Sequence, residues 1–260
     1  MAAAPVRSWG RVLKNRQAAR DTFWIELACP EVSAAARPGQ FVMLGTGLGD
    51  VAAPFLPRPF SIAASRVDGR LGFLVRVFGA GTRRLSTVRP GDELLVLGPL
   101  GRPFQLTEGR PILCLAGGVG LAPFLFVAAE ARRAGREVRI VYGERSADRV
   151  FDPTLVREIA DVNPDLRTED GSLGLRGLVI DDLNLDDRPQ LLACGPDPML
   201  RACAGLAAET RLPLQVSVEE YMGCGVGTCQ GCVVLSAAGE WIKSCTEGPV
   251  FDMTELAWQT

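Results

Sequence analysis

The sequence predicts a mixed fold: an antiparallel β-barrel, then a doubly wound α/β domain, then a small C-terminal lobe. Three observations carry this reading. Residues 1–105 hold short runs rich in β-branched and aromatic residues, separated by Gly, Pro and Asp turn signals. Residues 106–215 alternate buried apolar strands with helical stretches. Residues 216–260 are Gly- and Cys-rich and too few to build a core, so they need a staple such as a metal centre.

In the first region, Phe23-Trp-Ile-Glu-Leu, Gln40-Phe-Val-Met-Leu, Phe60-Ser-Ile-Ala, Leu71-Gly-Phe-Leu-Val-Arg-Val and Glu93-Leu-Leu-Val-Leu read as strands. Turns are expected at Arg37-Pro-Gly, Val67-Asp-Gly and Arg89-Pro-Gly-Asp. Regular spacing of short strands suggests a barrel. Two motifs sit within it, Arg58-Pro-Phe-Ser61 and Arg76-Val-Phe-Gly-Ala-Gly-Thr82. A pyrophosphate needs backbone N–H groups, a hydroxyl and an arginine in one place. Arg58, Gly81 and Thr82 form such a set, and Ser61 is placed to face a flavin ring. Alone, either motif reads equally as a surface arginine or an ordinary turn. Their order before an α/β domain and a cysteine loop favours a flavin.

In the second region the expected strands are Ile112-Leu-Cys-Leu-Ala, Val138-Arg-Ile-Val-Tyr, Leu166-Arg-Thr-Glu, Gln190-Leu-Leu-Ala-Cys and a last one at Leu214-Gln-Val-Ser-Val. Helices are expected over 122–133, 153–160 and from Asp197 to about Ala208. Ala116-Gly-Gly-Val-Gly-Leu-Ala-Pro123 follows a strand and opens a helix. It departs from the G-x-G-x-x-G fingerprint but shares its physics: Gly117, Gly118 and Gly120 allow a tight turn, and a helix N-terminus faces an anion. A plain βα turn is the alternative. Cys194-Gly-Pro-Asp-Pro-Met199 also links strand to helix, with Pro198 where a first helical turn tolerates it. Both turns belong on the carboxyl edge of the sheet, where ligands bind. Glu144, ending the second strand, would hydrogen-bond an adenine ribose and disfavour a 2′-phosphate, so NAD is expected over NADP; Arg145 beside it argues the other way. Asp170-Gly-Ser-Leu-Gly174 fits a nicotinamide pocket or a surface turn equally well.

The third region carries the sharpest signal. Cys224, Cys229, Cys232 and Cys245 follow the spacing C-x4-C-x2-C-x12-C. The first three match the start of plant-type [2Fe–2S] ferredoxins. Gly223, Gly225, Gly227 and Gly231 let the backbone wrap a small inorganic core and aim N–H groups at its sulfurs. Structural zinc prefers paired C-x2-C knuckles, which this spacing lacks. The other four of the eight cysteines read as small buried hydrophobes, with Cys194 a partial exception because it faces the expected nucleotide site.

The totals narrow the chemistry further. The chain has 260 residues, 47% of them apolar, and a formal net charge of −2. It has room for two compact domains and lacks the basic excess of a nucleic-acid binder. It contains no histidine, which removes Ser-His-Asp triads, histidine-held zinc or haem, and Rieske clusters. The apolar stretch 112–129 is broken by Gly117, Gly118, Gly120 and Pro123 and reads as strand, turn and helix rather than a membrane span. Residues 1–20 lack the apolar core of a signal peptide, so a cytoplasmic, reducing location without disulfides is expected.

The order Arg-Pro-Phe-Ser, Ala-Gly-Gly-x-Gly-x-Ala-Pro, Cys-Gly-Pro-x-Pro-Met and cysteine loop resembles the ferredoxin–NADP reductase superfamily. Within it, the chain is most similar to the electron-transfer subunits of type B dihydroorotate dehydrogenase, above all over Val218-Glu-Glu-Tyr-Met-Gly-Cys-Gly-Val-Gly. That resemblance implies FAD on Arg58, Pro59, Phe60 and Ser61, with Arg76 and Val77 beside the flavin and Gly81 and Thr82 on its pyrophosphate. It implies NAD at Gly117, Gly118 and Gly120, and a [2Fe–2S] cluster on Cys224, Cys229, Cys232 and Cys245. It also implies an FMN-bearing partner that oxidises dihydroorotate in pyrimidine biosynthesis, paired as a dimer of heterodimers. Thr228 and Gln230 depart from the alanine and bulky residue that usually flank the second cluster cysteine. The same module serving a sulfide dehydrogenase, hydrogenase or oxygenase is the nearest rival reading. A non-catalytic redox sensor or zinc-stapled binding module is a more distant one.

Overall fold

A computed structural model describes residues 4–45 and 56–258. The first region is a curled, seven-stranded antiparallel sheet. Its strands are β1 (Val6–Ala19), β2 (Thr22–Ala28), β3 (Phe41–Gly45), β4 (Arg58–Ser61), β5 (Ala64–Ser65), β6 (Arg70–Arg76) and β7 (Glu93–Leu100), in the order β4-β3-β7-β1-β2-β6-β5. Short helices α1 (Pro30–Ala35) and α2 (Ala80–Ser86) close two connections. The sheet curls around a core that includes Ile25, Leu27, Val42, Ile62, Phe73 and Val96. The sequence did not announce β1, although it pairs with both β2 and β7 at the centre of the sheet. Its residues are mostly polar and half-buried, and only Gly10 and Val12 are fully buried, so no apolar alternation marks it.

The second region is a seven-stranded sheet with helices on both faces. In chain order it comprises β8 (Ile112–Gly117), α3 (Ala122–Arg133), β9 (Val138–Glu144), α4 (Pro153–Ala160), β10 (Asp165–Thr168), β11 (Leu175–Arg176), β12 (Gln190–Cys194), α5 (Asp197–Thr210) and β13 (Leu214–Ser217). These strands are parallel, and β8, the first, lies at the centre beside β9 and β12. The sequence placed α3 and α4 at these bounds. Pro153 and Pro123 fall within first turns, where the missing N–H costs nothing, and the Asp152 carboxylate caps α4 by accepting from Thr154 N at 2.9 Å.

The third region holds the hairpin β14 (Val233–Leu235) and β15 (Trp241–Lys243), the short helix α6 (Ser244–Glu247) and β16 (Val250–Asp252). It does not stand apart. β16 returns to the second sheet and pairs antiparallel with β13, so β13 is not the last strand of that sheet that the sequence suggested. Three residues of mixed polarity carry no strand signal by themselves; their partner is set by the chain's return. Among the described residues, no helix is long and apolar enough to cross a membrane.

Candidate cofactor and nucleotide site

A cleft of about 230 Å³ opens where the curled sheet meets the turn after β8 and the chain after β13. Arg58, Pro59, Phe60 and Ser61 on β4, Arg76 ending β6 and Thr82 on α2 all line it. The structure thus brings together six of the eight residues expected at a flavin. Gly81 works beneath them: a Cβ there would overlap the Arg58 guanidinium, so glycine lets that cation lie across the start of α2. Val77 continues the chain from β6, its N–H donating to Asp21 O at 2.8 Å, and does not line the cleft. The Thr82 hydroxyl accepts from Phe78 N at 2.9 Å and Gly79 N at 3.1 Å and donates to Gly79 O at 3.2 Å, so the O–H that a pyrophosphate would accept from is turned onto its own loop.

The far wall was not foreseen. It comes from Ser217, Val218, Glu219, Glu220 and Met222, with Phe41 from β3. Glu219 is open to the cleft and hemmed by protein elsewhere; loss of hydration raises its carboxyl above the ordinary value, and Arg76 partly offsets this. Behind it, burial lifts the Cys194 thiol well above its usual range, and Glu219 adds to the effect. The Glu219-Glu220 pair was visible in the sequence, but only the fold brings it, directly after β13, into the cleft with residues 58–61.

A second cleft, of about 520 Å³, lies at the carboxyl ends of β8, β9 and β12. Gly117 and Gly118 line it, with Glu144, Arg145, Arg149, Glu169, the segment 177–180, Pro196, Pro198 and Met199. Gly118 has φ +58°, and Gly120 sits below, where a Cβ would overlap the Cys194 carbonyl. The turn is therefore pressed onto the neighbouring strand end. Asp170–Gly174 lines neither cleft. It closes on itself through Ser172 N to Asp170 Oδ1 at 2.9 Å, as a surface turn.

Arg76 joins the two clefts and lines both. Its Nε donates to Thr22 Oγ1 at 3.2 Å, and its Nη2 forms an ion pair with Glu144 Oε1. The Tyr142 hydroxyl donates to the same oxygen at 3.2 Å. The Glu144 side chain is 4% exposed. Removing one partner of such a pair typically costs about 3–5 kcal/mol. The acid ending β9 thus lines the nucleotide cleft with one carboxylate oxygen held by Arg76 and Tyr142.

The four loop cysteines lie near one another. Cys224 hydrogen-bonds with Cys229 and Cys245 with Cys232, and Cys224 also acts on Cys245. The N–H groups of Cys229 and Val226 each donate to Cys224 Sγ at 3.4 Å. Burial acts against it, yet these donors pull the Cys224 thiol down to about 7. Cys232 and Cys245 are buried with Phe41, Met43 and Leu100; burial, then the neighbouring Cys232, push the Cys245 thiol up to about 12. Among the described residues, no three metal-binding side chains converge as one ion requires. Two thiol pairs with N–H donors on sulfur suit a two-iron centre, in which each iron takes two protein thiolates.

Comparisons with known proteins agree with this geometry. Residues 219–257 match the family described as the iron–sulfur cluster binding domain of dihydroorotate dehydrogenase B, and residues 114–205 the oxidoreductase NAD-binding domain. The chain is 37% identical to the dihydroorotate dehydrogenase B (NAD(+)) electron transfer subunit of Desulforamulus reducens, over 96% of this chain and 97% of that one. It is 36% identical to the subunit of the same name from Shouchella clausii, over 94% and 96%. Among solved structures, it is similar to a chain of an NADH-dependent reduced ferredoxin-NADP oxidoreductase described for flavin-based electron bifurcation. The TM-score is 0.82 and the identity 31%, over 96% of this chain and 90% of that one. A ferredoxin reductase of carbazole 1,9a-dioxygenase, 22% identical with TM-score 0.71 over 83% and 70%, shares the fold.

Proposed function

This chain belongs to the family of dihydroorotate dehydrogenase B electron transfer subunits, and from that premise we propose that it carries electrons between a catalytic partner subunit, a [2Fe–2S] cluster, FAD and NAD during the oxidation of dihydroorotate to orotate in pyrimidine biosynthesis. One observation carries the order of transfer. Phe41 and Met222 belong both to the flavin cleft and to the apolar cluster around Cys232 and Cys245, while Arg76 and Phe78 line both the flavin and the nucleotide clefts. Nucleotide, flavin and cluster sites therefore adjoin in series.

Bound flavin supplies the exchange between two-electron hydride chemistry with a nicotinamide and one-electron chemistry with an iron–sulfur centre. The protein's part is placement. Arg58, with Pro59, Phe60, Ser61, Arg76, Val77, Gly81 and Thr82, is assigned to FAD. Gly117, Gly118 and Gly120 are assigned to the nucleotide, and Cys224, Cys229, Cys232 and Cys245 to the cluster. The working units are 1–105, 106–215 and 216–260. No side chain is required as general acid or base, because dihydroorotate is oxidised on the partner. That partner is proposed to be an FMN-binding subunit docking beside the cysteine loop, in a dimer of heterodimers in the cytoplasm.

Anaerobic affinity capture from native cells tests the reading. The expected result is an FMN-bearing subunit and dihydroorotate-dependent NAD reduction in the eluate. The likeness to the bifurcating oxidoreductase supports a second reading, the same module serving another client. Capture of a different oxidoreductase, with no response to dihydroorotate, would decide for it.

A further inference from the structure

We infer that the ion pair Arg76–Glu144 reads the carboxamide of the nicotinamide, Glu144 accepting from its N–H and Arg76 donating to its oxygen. The inference rests on the proposed nucleotide cleft and names the group which that cleft selects. Hydride exchange requires the nicotinamide ring to lie at the flavin, so the ring belongs where the two clefts join. Arg76 and Phe78 line both clefts and mark that join. Glu144 lines the nucleotide side of it. The nucleotide turn lies against the pair: a Cβ on Gly118 would come within 3.2 Å of Arg76 Nη1 and 3.8 Å of Glu144 Oε1.

The pair is fixed, and part of its hydrogen-bonding capacity is left over. Glu144 Oε1 faces the Arg76 guanidinium and accepts from the Tyr142 hydroxyl at 3.2 Å; that hydroxyl accepts in turn from Phe151 N at 3.2 Å. Arg76 Nε donates to Thr22 Oγ1 at 3.2 Å. Among the described residues, Glu144 Oε2 and Arg76 Nη1 have no hydrogen-bond partner, although the Glu144 side chain is only 4% exposed. One ion pair thus offers the cleft a spare acceptor and a spare donor. A primary carboxamide carries the complement, N–H donors and a carbonyl acceptor in one plane. A nicotinic acid ring carries a carboxylate there, which offers Oε2 no donor. Arg76 has little charge to spare for that carboxylate, because it already acts on Glu219 across the flavin cleft as well as on Glu144. The other charged groups of the nucleotide cleft are Arg145 and Arg149 against Glu169, with Asp148 acting on Arg149. Among the described residues none of them forms an ion pair with Arg76 or Glu144. A site built to bond a ligand N–H rejects the analogue lacking it, because its own buried oxygen is left unpaired.

The test titrates NAD, its nicotinic acid analogue, its 3-acetylpyridine analogue and ADP-ribose calorimetrically into the oxidised, purified holoprotein. The expected result is that NAD binds at least about tenfold more tightly than the nicotinic acid analogue. The 3-acetylpyridine analogue, neutral and lacking only the N–H donor, should also bind more weakly than NAD. Glu144→Gln, whose amide can donate to a carboxylate, should bring NAD and the nicotinic acid analogue within about threefold of each other. ADP-ribose, which has no ring, reports with circular dichroism and flavin absorbance that the variant keeps its cleft. Equal affinity of the parent chain for NAD and either ring analogue overturns the inference, whatever the stability of the variant, while bound ADP-ribose leaves the nucleotide cleft standing. A preference that Glu144→Gln leaves unchanged overturns it too. Failure of ADP-ribose to bind the parent chain overturns the inference together with the cleft assignment.

Discussion

Two glycine-rich turns serve this molecule, and they are held in opposite ways. The turn 117–120 is walled at Gly120 by backbone: the seven-stranded sheet fixes β8 and β12, and Gly120 is pressed against the Cys194 carbonyl, while Gly117 meets the Met199 side chain. The loop 223–232 is walled by flexible side chains and by its own thiols. Gly225 faces the Met43 side chain, Gly227 faces Thr246, and much of the loop is exposed. The nucleotide turn is shaped before any ligand arrives. The cysteine loop draws its final shape from what its sulfurs hold, as in other small metal-stapled units.

The sharpest way to break this contrast is to remove a thiol. Cys245→Ser should abolish the visible absorbance of the cluster and electron delivery to the partner, while NADH-to-ferricyanide turnover through the flavin persists. Hydrogen exchange should rise in 218–249 and stay unchanged in β8 and α3. If β8 loosens too, the two turns are not independent. Next in size, Gly120→Ala places a methyl in the Cys194 carbonyl and should cost about 3 kcal/mol in denaturant unfolding, the upper range for overpacking against a wall that cannot move. Gly225→Ala is expected to cost about 1–2 kcal/mol from its φ of +74°, with a smaller further loss where the methyl meets side-chain atoms of the buried Met43 rather than backbone. A larger loss for Gly225→Ala than for Gly120→Ala would invert the comparison.

The smallest effect is a pH dependence at the seam between the two turns. Burial raises the Glu219 carboxyl, so the folded state holds that proton more tightly than the unfolded chain. The resulting stability is present below the ordinary value of 4.5 and is lost as pH rises through the folded-state value. Glu219→Gln should therefore gain on the parent chain as pH rises from 4 to 7, read as a difference in unfolding midpoints. A constant difference across that range would show that Glu219 is fully hydrated.

The same contrast explains what could be read from the sequence. Elements shaped by local rules were legible: α3 and α4 with their first-turn prolines, the buried runs of β8 and β12, and the cysteine spacing. Elements shaped by distant partners were not. β1 is too polar to declare itself, yet two neighbours hold it. β16 is three residues long and exists because β13 is there to receive it. Glu144 was found at the right strand end, but sequence position does not say which way a carboxylate turns; Arg76, from a strand sixty-eight residues earlier, decides that. Residues 58–61, 76 and 82 were singled out from the sequence, whereas the opposite wall of their cleft at 217–222 arrives only through the fold.

The pairing of β16 with β13 makes the whole cysteine region an insertion between two adjacent strands of one sheet. Before that ladder can zip, the thirty-two residues 218–249 must bring their ends together. For a flexible segment of that length, ring closure costs about 3 kcal/mol before any constant. An iron–sulfur core that clamps 224 to 245 shortens the free ring to a few residues on each side. Cluster assembly thereby acts as a buckle on the edge of the nucleotide-binding sheet, and a chain starved of iron should fray there first.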